Sequence, residues 1–402
     1  MQDRLIYLDH AATTPTDARV VDAMRPFMTD VFGNPSSLHQ LGVRAQTAVM
    51  EARESIAKII NAHADEIVFT SGGTESDNLA IVGIVGHQNA DDRLPHVVTS
   101  AIEHHAVLET LKYLEKTGAI ALTVVPVDRQ GIVDPKTVLA AMTQDTVLVS
   151  IMTANNEIGT IQPIAEIGRA ILSWRKEHAS TFPLFHSDAC QAAGVLDLNV
   201  EKSHVDLLTI SGSKIYGPKG VGALFVRRGV KLAPMVRGGG QERNLRSGTE
   251  NVPGIVGMAK ALELLEEGRE AENVRLTTLR DRLIEGLLRL PKTFLNGHAT
   301  ERLPNNANVT FLDMEGEAAV LYLDAKGICS STGSACASTS LDPSHVILAL
   351  GVSYEAAHGS VRFTLGHSTT EKDVDFVIEI MPEIVEHLRK MSPVKVSEKY
   401  YV

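Results

Sequence analysis

The sequence has no run of about 18 uninterrupted apolar residues, which excludes a membrane-spanning helix. Its start, Met1-Gln2-Asp3-Arg4, has neither the basic lead nor the apolar core of a secretory signal. A soluble, cytoplasmic protein with no membrane partner is expected. Cysteine is scarce: three in 402 residues, an odd number, do not make a disulfide framework. No pair of Cys or His at zinc-ligand spacing accompanies them, so no metal is expected. Clustered basic residues are missing too, and a formal charge of −11 argues against a direct nucleic-acid partner. Neither a Walker A loop nor a dinucleotide fingerprint is present, which disfavours ATP and NAD. The chain shows no internal repeat, low-complexity tract or long linker.

What the chain does have is a 44% hydrophobic content, enough for a core larger than one small domain needs. Short β-rich runs at 67–70, 97–100, 122–127, 147–152, 184–186, 207–210 and 223–226 alternate with amphipathic stretches such as 45–60 and 164–177. That alternation predicts an α/β fold with a mainly parallel sheet. Beyond about Pro253 the pattern changes to a long charged helix over 255–290, then short strands at 308–312 and 359–365. A second, smaller α+β domain is expected there. Ligands bind open α/β sheets at the carboxyl ends of strands, and the polar motifs fall at those ends.

The most informative stretch is Ser211-Gly212-Ser213-Lys214-Ile215-Tyr216-Gly217-Pro218-Lys219-Gly220, one lysine among small hydroxyl residues ahead of a glycine-rich turn. Such a lysine can hold a carbonyl cofactor as a Schiff base, and the serines can bind a phosphate beside it. A solvated turn is an equal alternative. After the run at 67–70 comes Ser71-Gly72-Gly73-Thr74-Glu75, a strand, glycine turn and helix start whose free N–H groups suit a phosphate. Thr74 also reads as an ordinary helix cap. Asp188 and Gln191 follow another strand; a carboxylate there can keep a ring nitrogen protonated, or simply cap a helix. Glu103-His104-His105 and Asn155-Asn156-Glu157 sit at two more strand ends. An imidazole can stack on a flat ring and move protons near neutral pH. Near the C-terminus, 329–340 is small and polar throughout, the composition of a mobile loop, and Cys336 within it is the candidate nucleophile. For Cys190 and Cys329, packing is the better reading.

Together these residues resemble the pyridoxal-phosphate-dependent cysteine desulfurases of the NifS/IscS group, within the class-V aminotransferase fold. The resemblance spans nearly the whole chain. It runs from Tyr7-Leu8-Asp9-His10-Ala11-Ala12-Thr13-Thr14-Pro15 through Gly33-Asn34-Pro35 and the motifs above. It continues to Gly238-Gly239-Gly240-Gln241-Glu242, Arg246-Ser247-Gly248-Thr249-Glu250-Asn251 and Gly359-Ser360-Val361-Arg362-Phe363. The resemblance implies a fold type I transferase with a seven-stranded sheet. A large cofactor-binding domain would cover 15–255, and a small domain carrying the cysteine loop 1–14 with 256–402. It implies pyridoxal 5'-phosphate as cofactor and Lys214 as its Schiff-base residue. Asp188 would face the ring nitrogen, His104 would stack on the ring, and Gln191 and Asn155, preferred over Asn156, would face its phenolic oxygen. Gly73, Thr74 and Ser211 would bind the phosphate, with Thr249 reaching it from the other subunit of a homodimer. Arg362 would grip the carboxylate of L-cysteine with help from Asn34, and Cys336 would carry the sulfur as a persulfide. The partner would be a sulfur-acceptor protein for iron-sulfur cluster assembly or tRNA thiolation. Selenocysteine lyase and a non-catalytic scaffold are the alternatives. Two departures stand out. Ser213 replaces the histidine usual before the lysine, which predicts weaker cofactor retention, and a longer stretch over 175–183 reads as a surface loop.

Overall fold

The computed structural model describes residues 5–88, 94–333, 342–393 and 395–398. The N-terminal strand β1 (Ile6–Tyr7) is followed by the seven strands of the main sheet. These are β2 (Ile67–Thr70), β3 (His96–Ser100), β4 (Ala121–Val125), β5 (Thr146–Ser150), β6 (Leu184–Asp188), β7 (Leu207–Ser211) and β8 (Gly222–Val226). Their order across the sheet is β2-β8-β7-β6-β5-β3-β4. Only β8 runs against its neighbours, so the carboxyl ends of the other six share one edge. The seven apolar runs read from the sequence are these seven strands. Near-continuous Val, Ile, Leu and Phe fit them, because helices cover both faces and leave no solvent side.

One apolar layer lies under helices Gln40–Ile59 and Ile164–Glu177, and the opposite layer lies under Gly73–Gln88 and His105–Lys116. The long C-terminal helix is Val252–Leu288, capped by the Asn251 side chain on Gly254 N–H and entered with a proline in its first turn. Its early residues Ile255, Met258 and Leu262 join the first layer. Leu276, Leu279, Leu283 and Leu287 join a separate core. That second core also takes β9 (Thr293–Leu295), β10 (Asn306–Phe311), β11 (Ile328–Cys329), β12 (Ser360–Thr364) and helix Glu371–Met391. Strands β12-β10-β9 form an antiparallel sheet. The short pairing of β1 with β11 has no sequence signal, since two residues carry no periodicity. The stretch 175–183 is helical through Glu177 and only then a turn, because Arg175 anchors its end on Pro183 O and Asp206.

Two devices bring distant segments to the sheet edge. The chain after β1 crosses to the lysine turn, with Thr14 N–H on Ser213 O at 2.9 Å and Thr364 N–H on Leu8 O at 2.7 Å. The glycine-rich segment 238–251 is tied to the sheet by Glu242. This carboxylate is 3% exposed and takes two bonds from Arg53, at 2.9 and 2.6 Å, and one from Phe69 N–H at 2.9 Å.

Candidate active site

Five strand ends, those of β2, β3, β5, β6 and β7, open onto one cavity of about 340 Å³. That is at the low end of the roughly 300–1,000 Å³ typical of small-molecule sites. At one end of it, β2 turns through Ser71-Gly72 into helix Gly73–Gln88, whose unpaired N–H groups and positive dipole end favour an anion. Gly73 and Thr74 line the cavity there. Opposite them are Ser211 and Ser213, their hydroxyl oxygens 3.2 Å apart. A Cβ on Gly73 would lie 2.7 Å from Cys190 Sγ, so the glycine leaves the room that Cys190 fills. Burial, and then the nearby Asp188, push the Cys190 thiol well up. It stays a neutral packed thiol that also forms part of the cavity wall.

Deeper in the cavity lie Asp188, the last residue of β6, and Gln191, three residues on. Asp188 Oδ1 accepts from Cys190 N–H at 2.8 Å, which fixes the carboxylate at the strand end. Behind it Asp77 is 1% exposed, with Oδ1 unpartnered among the described residues and 3.6 Å from His186 Nε2. Burial, then the charge of Asp188, hold the Asp77 carboxyl well above the usual range. The buried His186 imidazole is pushed down to about 4. His186 is therefore uncharged at neutral pH.

His104 also lines the cavity, at the cap of helix His105–Lys116. Its Nδ1 accepts from Ala106 N–H at 3.1 Å, so a proton on the neutral ring belongs on Nε2. Burial lowers its pKa, with Asp188 opposing, which keeps the ring neutral and suited to stacking. The adjacent Glu103 is pushed up to about 8 by burial, although Ser100 Oγ and Met152 N–H bond to it.

Lys214 ends the one-turn 3₁₀ helix after β7. Its Nζ donates to the carbonyls of Ala11 at 2.9 Å and Ala12 at 2.5 Å. Gln191 Nε2 donates to the same Ala11 carbonyl at 2.9 Å. Arg362, on β12, is 1% exposed and bonds Asp9 Oδ1 and Asn156 O, both at 2.9 Å. Its Nε is buried without a partner among the described residues. A buried guanidinium with a donor to spare suits a carboxylate.

The structure thus gathers Gly73, Thr74, His104, Asp188, Gln191, Ser211, Ser213, Lys214 and Arg362 around one cavity. It does not bring Asn155 there. The Asn155 side chain is fully buried and spent on the backbone: it donates to Ile102 O and accepts from Glu157 and Ile158 N–H. Asn156 lines the cavity instead, so the preference for Asn155 over its neighbour is corrected. Asn34 is exposed, its Oδ1 taken by Ser36 N–H, and is absent from the cavity wall. Thr249 is likewise exposed and lies outside this wall. Cys336 lies outside the described residues. No local sequence signal marks Asp9 as the partner of Arg362, or the Ala11 and Ala12 carbonyls as those of Lys214. Lys219, which also lines the cavity and donates to Thr14 O, carried no signal beyond its glycine-rich setting.

The profile of the class-V aminotransferases matches residues 6–377. Among curated proteins, the chain is 53% identical to "Cysteine desulfurase IscS" of Methanosarcina thermophila, over 99% of this chain and 96% of that one. A solved NifS-like protein superposes with a TM-score of 0.88 at 38% identity, over 96% of this chain and all of the other. A structure described as "SspA in complex with cysteine" gives 0.77 at 35% identity, over 90% of this chain and 98% of that one. With its strand-end cavity and a family match over nearly its whole length, the chain belongs to the class-V aminotransferase family.

Proposed function

We propose that the protein is a cysteine desulfurase that holds pyridoxal 5'-phosphate and converts L-cysteine to L-alanine, passing the sulfur on as a persulfide of Cys336. The observation that carries the reading is the convergence of Lys214, Asp188, His104 and Arg362 on one cavity with an anion-binding helix end at its far side. A scaffold has no need of all four. The donor set fits the cofactor: hydroxyls and helix N–H groups for a phosphate, a carboxylate for a ring nitrogen, a neutral imidazole for the ring face and an amine for the aldehyde. Ser213 offers a hydroxyl where a longer cationic ring is usual, which weakens retention.

When bound, pyridoxal 5'-phosphate supplies an electron sink for the substrate carbons. Arg362, which lines the cavity, would bind the L-cysteine carboxylate. Lys214 would hold the cofactor through its amine and would move a proton at the substrate Cα. Cys336 thiolate then attacks the substrate sulfur: an S–S bond forms, the substrate C–S bond breaks, and its electron pair stays with the carbon. That carbon takes up a proton and leaves as L-alanine.

We further propose residues 15–255 as the cofactor-holding domain and 1–14 with 256–402 as the smaller one. A homodimer in which Thr249 reaches the partner's phosphate fits its exposure away from its own cavity. Exposed Leu38, at 98%, and Phe32, at 67%, also fit a surface covered in a dimer. The sulfur would go to an acceptor protein for iron-sulfur assembly or tRNA thiolation. A cytoplasmic location agrees with the lack, among the described residues, of any helix long and apolar enough to cross a membrane. Selenocysteine lyase is not favoured, given relatives at 53% and 51% identity over 96% and 97% of their length that are named cysteine desulfurase. The test is borohydride reduction of the loaded protein followed by peptide mapping. The cofactor is expected on the Lys214 peptide; recovery on any other lysine overturns the assignment.

A further inference from the structure

Residues two apart on a strand point to the same face, so Arg362 and Thr364 of β12 share one. Both side chains bond the segment that follows β1. Arg362 donates to Asp9 Oδ1 at 2.9 Å, and Thr364 Oγ1 accepts from Ala11 N–H at 2.9 Å. Asp9 is also bridged to Thr364 along the backbone, and His10 Nδ1 lies 2.9 Å from Thr364 O. Thr364 is 0% exposed and Ala11 is 5% exposed, so water does not stand in for this bond.

The carbonyl side of Ala11 serves the cavity. It accepts from Lys214 Nζ and from Gln191 Nε2, each at 2.9 Å, while the Ala12 carbonyl accepts from Lys214 Nζ at 2.5 Å. Ala11, Ala12, Gln191 and Lys214 line the cavity, and Thr364 does not. Ala11 is thus pinned twice, its N–H on Thr364 and its carbonyl on the amine. The path of the segment has other fastenings. The Tyr7 hydroxyl meets Asp9 O at 3.0 Å and Thr13 O at 2.8 Å, and Thr14 N–H donates to Ser213 O at 2.9 Å.

We infer that Thr364 is a positioning residue for Lys214: by fixing Ala11 it fixes the pair of carbonyls on which the free lysine amine is seated. The inference rests on the proposed reading of Lys214 as the cofactor-bonding residue and proton carrier. A nitrogen doubly bonded to an aldehyde carbon keeps at most one N–H and cannot donate to both carbonyls. The seat therefore serves the amine while it is free, the form that captures the cofactor and takes the substrate Cα proton. In that transfer the N–H bond forms as the C–H bond breaks, and the C–H electron pair passes to the electron sink of the bound cofactor. Such steps depend on placement, where a shift of about 1 Å can cost about 100-fold.

The test compares the full chain with Thr364→Val, which keeps the branched shape but offers Ala11 N–H no acceptor, and with Thr364→Ser, which keeps the hydroxyl. Two rates are read. One is the growth of the absorbance of the lysine–cofactor bond after pyridoxal 5'-phosphate is added to the cofactor-free protein. The other is deuterium uptake at the Cα of L-alanine, followed by NMR in D2O with the loaded protein. Thr364→Val is expected to slow both about tenfold. The L-alanine concentration for half-maximal exchange should stay within about twofold, because Arg362 keeps its bond to Asp9. Thr364→Ser should recover most of both rates, and Thr364→Ala carries the valine expectation should valine block folding. Parental rates without the hydroxyl, no rescue by serine, or a half-maximal concentration that rises in step with the lost rate would overturn the inference. No exchange by the unsubstituted, loaded protein would instead overturn the reading of Lys214 as proton carrier, and this inference with it.

Discussion

On one side of the cavity, His104, Asp188, Ser211 and Lys214 each lie at, or within four residues after, the end of a strand in the seven-stranded sheet. On the other, contacts span the sequence: the Lys214 amine meets a carbonyl 203 residues away, and Arg362 meets a carboxylate 353 residues away. The first side is a wall, its side chains aimed by buried strands and short turns. The second is assembled by tertiary packing, and its groups are held by one another. On the proposed reading, the cofactor would be held on the wall, whereas substrate grip and sulfur transfer would depend on the assembled side. The two sides should therefore fail differently when perturbed.

The largest effect is expected where the two sides meet. Lys214→Ala removes both the covalent anchor and the proton carrier, and alanine formation from L-cysteine should fall about 10³-fold or more. Residual cofactor should still co-purify, held by Asp188 and the phosphate end; complete loss of binding would place the cofactor's anchor on the lysine alone. On the assembled side, Arg362→Ala should raise the KM for L-cysteine about 100-fold, the cost of a charged hydrogen bond of about 3 kcal/mol. Asp9→Asn only loosens the guanidinium and should cost about tenfold. An Asp9 effect as large as that of Arg362 would mean the pair folds the site rather than serving it.

Behind the wall, at buried residues that do not line the cavity, the contrast can be sharpened by pH. Glu103 has a folded pKa of about 8 against an ordinary 4.5. The native state keeps a proton that the unfolded chain has lost, so this stabilisation is full below 4.5 and falls as pH rises to 8. His186, pushed down to about 4 from 6.5, works in the opposite sense, and its stabilisation is lost as pH falls from 6.5 to 4. The parent is expected to lose stability between neutrality and pH 8, and thermal melts of Glu103→Gln should lack that decline; an unchanged decline would assign it elsewhere. The smallest effect is expected of Ser213→His, which should tighten cofactor retention about three- to tenfold as measured by dialysis. No change there would show that the serine hydroxyl already satisfies the phosphate.

The same contrast explains what could be read from the sequence. Strand runs and the turns that follow them are local, so composition offered the β2 turn at Gly73, the Asp188 end of β6 and the lysine turn after β7 as candidates, each beside an ordinary turn or cap, and the family resemblance chose between them. The pairing of β1 with β11 involves two residues, and the approach of Ala11, Ala12 and Asp9 to the cavity depends on contacts no local pattern encodes. Asn155 and Asn156 are adjacent in sequence but separate in role: one amide closes a turn against Ile102 O while its neighbour faces the cavity. Which of two adjacent residues points inward is set by how the turn closes, and the family pattern does not state it.

The most direct measurement is alanine formation from L-cysteine, with excess reductant and cofactor bound, by the protein and by its Cys336→Ala variant. The account predicts turnover in the first and near-complete loss in the second, with cofactor content unchanged. Turnover that survives the loss of Cys336, or no turnover by the cofactor-loaded parent, would contradict it.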